Sequence, residues 1–147
     1  MLKITLPGSI RSKKNSKQII AVPSHKGKGT NKHLWAKMGW QYCYHQIHPS
    51  AAYKEWEKEA RIAAWASTPE EPIEGPIHVK ALIYYKGRRP DLSGAMESVG
   101  DCLEGIIWKD DIQIESWDGS RLIHDLKNPR TEVWVEEIEN PPRPGIA

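Results

Sequence analysis

Apolar and polar residues alternate along several stretches of the chain, and this period of two predicts β-strands. LKITLP alternates until it reaches Pro7-Gly8, IHVKALIYY alternates over nine residues, and RTEVWVEEI places Val133 and Val135 on one face. IIAVP predicts a further short strand, and IIWKDDIQIESW predicts one that enters the core. Asp118-Gly119 then predicts a turn or bulge before the last strand.

Two other stretches repeat apolar residues every three or four positions, which predicts amphipathic helices. The first lies in PSAAYKEWEKEARIAAWA, where Ser50 is a suitable N-cap and one face carries Tyr53, Trp56, Ala60, Ala63 and Ala64. The second has Gly105 just beyond its end, and its apolar stripe consists of Leu92, Ala95, Met96, Val99, Cys102 and Leu103.

This order of elements predicts an α+β fold, with a mixed β-sheet and two main helices packed on one of its faces. A length of 147 residues favours one domain that spans residues 1–147. Within it, the polar, lysine-rich region at about 9–50 should form basic loops, and residues 139–147, ENPPRPGIA, should be a flexible tail.

Composition excludes several classes of protein. A chain with 39% hydrophobic and 27% charged residues is typical of a soluble globular domain. Apolar runs stay well short of the roughly 18–20 residues of a membrane span, and the first residues lack a signal peptide's apolar region. Free Cys43 and Cys102 suit the cytosol, so we expect a cytoplasmic protein without a membrane partner. A GxxxxGK[ST] loop is absent, so no nucleotide cofactor is expected.

Charge is unevenly distributed along the chain. Residues 1–50 hold nine Lys or Arg and no acid, whereas residues 51–147 carry a formal charge of −7. A basic segment of this kind favours binding to DNA or another polyanion, although a solvated lysine-rich loop gives the same pattern. The candidate phosphate contacts that follow the first strand are Arg11, Lys13, Lys14 and Lys17. Such contacts predict strong salt dependence and weak sequence dependence.

Carboxylates are concentrated between residues 87 and 111. Glu97 and Asp101 share a helical face with Gly94, Asp91 begins the helix, and Asp110-Asp111 follow it. Clustered carboxylates repel each other, and oxygen ligands suit Mg²⁺, so the pattern favours metal-assisted hydrolysis of a phosphodiester. The alternative is that these acids serve a helix N-terminus, a solvated face and a turn.

The frame RPDL…D.L.G…KDD.QI resembles the RusA family of Holliday junction resolvases, small dimeric endonucleases often carried by prophages. The dense part of the match covers about 25 residues, from Pro90 to Ile114. The resemblance implies a Mg²⁺- or Mn²⁺-dependent homodimer that cleaves four-way DNA junctions in recombination and repair. It also implies that Asp91 and Asp111 are metal ligands, with Asp110 beside them and Asp101 at an acid position common in the family's helix.

The chain departs from the family motif at three positions. Ser93 replaces the second motif acid, Gly94 replaces an Asn, and Glu97 replaces a functional lysine. Ser93 and Glu97 are one helical turn apart, so our hypothesis is that the carboxylate has moved along the helix and that Glu97 completes the metal site with Asp91 and Asp111. Arg88, Arg89 or Lys109 would then supply the lost cation. The alternatives are a branched-DNA-binding protein without activity, or a nuclease acting on flaps or single strands.

Two remaining features carry weaker hypotheses. Of the seven tryptophans, most are expected in the core, and Trp35 and Trp40 are candidates for stacking on unpaired bases. Cys43, His45 and His48 lie close together, but a structural zinc site needs a fourth ligand from elsewhere in the chain.

Overall fold

The architecture is a mixed five-stranded sheet covered on one face by two helices, as the sequence predicts. The computed structural model describes residues 1–13, 17–23, 43–68 and 70–139. Strand β1 (Leu2–Pro7) pairs antiparallel with the last strand, β7 (Arg130–Glu137), which pairs antiparallel with β4 (Ile77–Tyr85). The register places Ile4 opposite Val133 and Val133 opposite Ala81, so the alternating apolar residues of three strands share one buried face.

The other edge of β4 is shared by two short strands that run parallel to it. Strand β5 (Ile114–Ser116) pairs with the start of β4, and β6 (Arg121–His124) pairs with its end. The predicted turn at Asp118-Gly119 lies between them, and Gly119 has a φ of 84°. The sequence reasoning missed β6, because RLIH is too short to show a period.

Both predicted helices are present. Helix α1 (Ala51–Ala66) begins at Ser50, whose hydroxyl accepts a hydrogen bond from the Tyr53 N–H at 3.1 Å. Helix α2 (Leu92–Leu103) begins at Asp91 and is followed by Gly105, with a φ of 80°. The two helices meet where the Arg61 guanidinium donates to the Cys102 carbonyl at 2.9 Å.

The predicted strand through IIWKDDIQIESW is largely wrong. Ile106, Ile107 and Trp108 are fully buried, but they form a tight turn in which the Gly105 N–H donates to the Trp108 carbonyl at 2.7 Å. A short 3₁₀ helix (Asp111–Gln113) follows, and only the last residues of the stretch form β5. A short apolar run has the same pattern in a buried turn as in a buried strand, so periodicity does not distinguish them.

A separate two-stranded ribbon completes the described elements. Strand β2 (Lys17–Pro23) contains the predicted IIAVP strand and pairs antiparallel with β3 (Cys43–Pro49), which the sequence reasoning missed. The SHKGKGTNKH loop, Trp35 and Trp40 lie outside the described residues, as does the predicted tail from residue 140. Within the described part of the chain, neither helix combines the length and hydropathy required to cross a bilayer.

Candidate active site

The N-terminus of α2 is organised around the Asp91 carboxylate. Its Oδ2 accepts a hydrogen bond from the Ser93 hydroxyl at 2.8 Å and one from the Gly94 N–H at 3.3 Å. Asp91 is exposed and has extended backbone geometry, as an N-cap residue does. Ser93 therefore donates a hydrogen bond to Asp91 from the position at which the family resemblance predicts a second acid.

The loop after β1 contacts α2 through two small residues of the helix. At Gly94, a Cβ would lie only 2.6 Å from the Ser12 hydroxyl, so the loop can approach only because a side chain is missing. One turn further along, Ser98 is fully buried and donates to the Arg11 carbonyl at 2.8 Å. The same hydroxyl accepts from the Lys13 N–H at 3.3 Å. Residues 11–13 are therefore fixed to the helix that carries the candidate acids.

A basic cleft opens between this loop and the start of α2. Its volume is about 430 Å³, and it is lined by Ile10, Arg11, Ser12, Arg88, Arg89, Pro90 and Asp91. Three of the cations predicted to contact DNA therefore meet here, beside the first predicted metal ligand. A positively charged cleft next to a carboxylate is suited to a phosphate group of a polyanion.

A second, acidic cleft includes Ser93 in its lining. Its volume is about 490 Å³, and it is lined by Ser93, Met96, Glu97, Gly100, Asp101, Asp111, Ile114 and Trp117. Glu97, Asp101 and Asp111 thus line one cleft, whereas Asp91 lines the neighbouring basic cleft. The sequence pattern assigned Met96 to the apolar core stripe of the helix. In the structure Met96 is only partly buried and lines this cleft.

The turn that presents Asp111 is held by a capping box. The Asp110 carboxylate accepts from the Ile112 N–H at 3.0 Å, and the Gln113 side-chain oxygen accepts from the Asp110 N–H at 2.8 Å. The Gln113 amide group also donates to the carbonyls of Ile73 and Gly75, at 2.8 and 2.9 Å. Asp110 and Asp111 are therefore exposed residues on a firmly anchored turn.

Three carboxylates approach one another at this turn. Oxygens of Glu104, Asp110 and Asp111 all lie within 4.8 Å of each other. Partial desolvation raises the pKa of Asp111 above its usual value, and so do its hydrogen bond with Asp110 and the negative charges of Glu104, Asp110 and Asp101. Uncompensated negative charge on oxygen donors is the environment that a hard divalent cation neutralises, so these residues fit Mg²⁺ or Mn²⁺.

Glu104 is a candidate ligand that the sequence reasoning did not select. It is the last residue before Gly105, and the tight turn that follows returns the chain so that the Asp111 N–H donates to the Glu104 carboxylate at 3.4 Å. In the sequence, the one feature that pointed to Glu104 as a ligand was its position at a helix end, seven residues before Asp111. A turn, unlike a strand, brings those two positions together.

The remaining predicted DNA contacts have varied positions. Lys109 forms an exposed ion pair with Glu74, and this pairing lowers the pKa of Glu74. Exposed pairs of this kind contribute little stability, so DNA phosphates could replace Glu74. The backbone of Lys17 lies on β2, and Lys14 lies outside the described residues. His48, of the possible zinc group, has its ring Nε2 within 2.8 Å of the Gln46 side-chain oxygen.

Comparison with known proteins identifies one family. The family model described as "Endodeoxyribonuclease RusA" matches residues 25–136, which is about three quarters of the chain and includes both α2 and the acidic turn. The match begins after β1 and the loop that carries Arg11 and Lys13. Comparison with curated proteins gives no match.

Proposed function

The chain belongs to the RusA family of endodeoxyribonucleases, and on that premise we propose that it is a metal-dependent endonuclease that cleaves four-way junctions and related branched DNA in recombination and repair. The observation that supports this most directly is the acidic cleft, which is lined by Glu97, Asp101 and Asp111, together with the approach of the Asp111 carboxylate to those of Glu104 and Asp110. We also propose that the protein acts as a homodimer, because two strands of a junction must be cut.

In this proposal, Asp111 holds the divalent cation together with the neighbouring Glu104 and Asp110. Glu97 and Asp101 serve the same ion from the cleft that they share with Asp111, and Asp91 is a further predicted ligand at the basic cleft. A bound Mg²⁺ or Mn²⁺ would polarise the phosphate and lower the pKa of an attacking water. Arg88, Arg89 and Arg11 bind the flanking phosphates in the basic cleft, and Ser93 keeps the Asp91 carboxylate in a fixed orientation between the two clefts.

Glu97 is the residue on which the proposal differs from the family motif. It lines the same cleft as Asp111, whereas Ser93 donates a hydrogen bond to Asp91 and offers no second carboxylate. The lysine that the motif expects at position 97 is an acid here, and its location in the cleft of Asp111 supports the proposal that it serves the metal. The cationic role passes to the arginines of the basic cleft.

The test uses purified protein with a synthetic four-way junction, a flap and a linear duplex, with and without Mg²⁺. Paired symmetric nicks in the junction are expected, and Glu97→Gln and Asp111→Asn should each reduce the rate at least about 100-fold, since removal of one charge-stabilising group costs several kcal/mol of barrier. Glu59→Gln, at an exposed position on α1, is the matched control. If Glu97→Gln cleaves normally while Asp91→Asn does not, Glu97 has no metal role.

One observation favours a second candidate function, binding of branched DNA without cleavage. Oδ2 of Asp91 is already engaged by Ser93 and Gly94, which is the arrangement of a helix cap as well as of a metal ligand. Retained junction affinity with intact strands in Mg²⁺ and in Mn²⁺ would identify this function.

A further inference from the structure

The acidic cleft has a second, apolar wall that metal binding does not explain. Besides the carboxylates, it is lined by Met96, Ile114 and Trp117. Trp117 is only partly buried against the core, although the sequence pattern gave no reason to separate it from the core tryptophans. A metal site needs oxygen donors and water, so an indole, a thioether and a branched aliphatic chain along the same cleft indicate a ligand with an apolar face.

The position of Trp117 is fixed by the surrounding backbone. Its carbonyl accepts from the Ser120 N–H at 3.1 Å, and the Ser120 hydroxyl accepts from the Ala81 N–H of β4 at 3.0 Å. On the preceding side, the Ser116 hydroxyl accepts from the Asp118 N–H at 3.3 Å and lies 2.8 Å from the His78 ring Nδ1. The backbone of Trp117 therefore lies on a turn anchored to the sheet, which reduces the backbone entropy lost when a ligand binds there.

We propose that Met96, Ile114 and Trp117 form a subsite for one unstacked nucleobase of the DNA strand that is cut, a proposal that rests on the proposed function. A nucleotide joins its phosphate to its base through one sugar, so a phosphate that a metal ion would hold at Asp111 has a neighbouring base within reach of this cleft. A volume of about 490 Å³ accommodates a base beside a phosphate. Stacking of a base on an aromatic ring requires no particular base sequence.

This subsite would select DNA by its structure. In an intact duplex every base is stacked and paired, and extracting one costs a few kcal/mol. At a branch point the bases are already unpaired or easily unstacked, so that cost is small. The acidic cleft would then engage a phosphate productively only where the adjoining base is released, which makes Trp117 a specificity-determining residue for branched substrates.

The test is a cycle that combines a protein variant with a DNA variant. Junctions carrying one abasic site at each position around the branch point are titrated against wild type and Trp117→Ala in Ca²⁺, with strand integrity checked on denaturing gels. At one position, loss of the base should weaken binding by wild type about 5- to 100-fold and binding by Trp117→Ala by less than twofold. Trp65→Ala, on the exposed face of α1, should behave as wild type.

Two further measurements keep the result decisive. Trp117→Phe should retain the base effect, and Trp117→Leu, which keeps apolar volume without a π-face, should lose most of it even if Trp117→Ala does not fold. The abasic scan on wild type needs no variant, and affinity that changes less than twofold at every position overturns the subsite. Failure of the proposed function looks different, because strands would then stay intact in Mg²⁺ whether or not the base effect is present.

Discussion

Gly94 offers a direct test of how the loop at residues 11–13 is fixed to helix α2. Gly94→Ala would place a Cβ 2.6 Å from the Ser12 hydroxyl and 3.2 Å from its Cβ, distances at which the loop must move. Gly100→Ala is the matched control, because it lies in the same helix and its Cβ would meet Asp111 and Ile114 at an ordinary 3.9 Å. Both substitutions gain helix propensity, up to about 1 kcal/mol relative to glycine.

The expected signs are therefore opposite. Gly100→Ala should raise the free energy of unfolding by up to about 1 kcal/mol. Gly94→Ala carries in addition an overpacking cost of about 1–3 kcal/mol, so its net effect should be a loss of about 0–2 kcal/mol. Gly94 lies in the first turn of α2, where the propensity gain is smaller than at Gly100, so the contact with Ser12 is isolated by comparison with the double variant described below. For a chain of this size, each kcal/mol corresponds to about 2–4 °C in the melting temperature.

The assay is urea unfolding of both variants, of Ser12→Gly and of the double variant Gly94→Ala with Ser12→Gly. Ser12→Gly removes the two close contacts of the new Cβ and leaves only Asp91 Oδ2 at an ordinary 3.5 Å, so the double variant should recover most of the overpacking cost. Binding of junction DNA should fall with Gly94→Ala and partly return with the double variant, because the loop regains its position. Equal unfolding energies for Gly94→Ala and Gly100→Ala, or additive behaviour with Ser12→Gly, would refute the reasoning.

Further predictions concern the neighbouring residues. Ser98→Ala removes a fully buried hydroxyl that holds the Arg11 carbonyl, so it should cost about 1–3 kcal/mol in urea unfolding and lower the salt slope of DNA binding by about one unit as the loop detaches. The raised pKa of Asp111 means that the folded state binds more protons just above the usual value of 3.8, so stability should fall as pH rises through that window. Asp111→Asn should flatten this pH dependence and abolish the rise in melting temperature that Mg²⁺ causes. Melting temperatures are measured from pH 4 to pH 7 in EDTA and in Mg²⁺. An unchanged Mg²⁺ effect would exclude Asp111 as a ligand. Ser93→Asp should lower the melting temperature in EDTA, because a carboxylate cannot donate a hydrogen bond to Asp91, and Mg²⁺ should restore it. Ser93→Asn, which keeps a donor, is the control. Equal melting temperatures of the two variants in EDTA would contradict the role of Ser93.

The fold was largely predictable because its main elements carry strong local signals. The three long strands alternate apolar and polar residues, and both helices begin at side chains with clear capping preferences, Ser50 and Asp91. The sequence pattern did not predict the course of the chain after α2. Ile106 and Ile107 are buried in a turn, and only tertiary packing, such as the Ile73 N–H donating to the Ile107 carbonyl at 2.8 Å, distinguishes that turn from a strand.

The site was predictable in part for the same reason. Helical spacing put Glu97 and Asp101 on one face, and they line one cleft. The contribution of Glu104 depends on the turn that the pattern did not reveal, and the exposure of Trp117 depends on the position of a turn at the sheet edge. Each of these missed features is a contact between segments distant in sequence, about which local periodicity carries no information.

The three departures from the family motif have structural counterparts that argue against random loss. Ser93 donates to Asp91, and Gly94 admits the Ser12 hydroxyl, so both residues make contacts specific to their identity. Glu97 lines the cleft that contains Asp111. Residues that drift after loss of function have no reason to acquire such contacts at three neighbouring positions. Because all three changes lie within about one turn of α2, they are consistent with a rearranged site in which the helix joins a phosphate-binding loop on one side to a metal-binding cleft on the other.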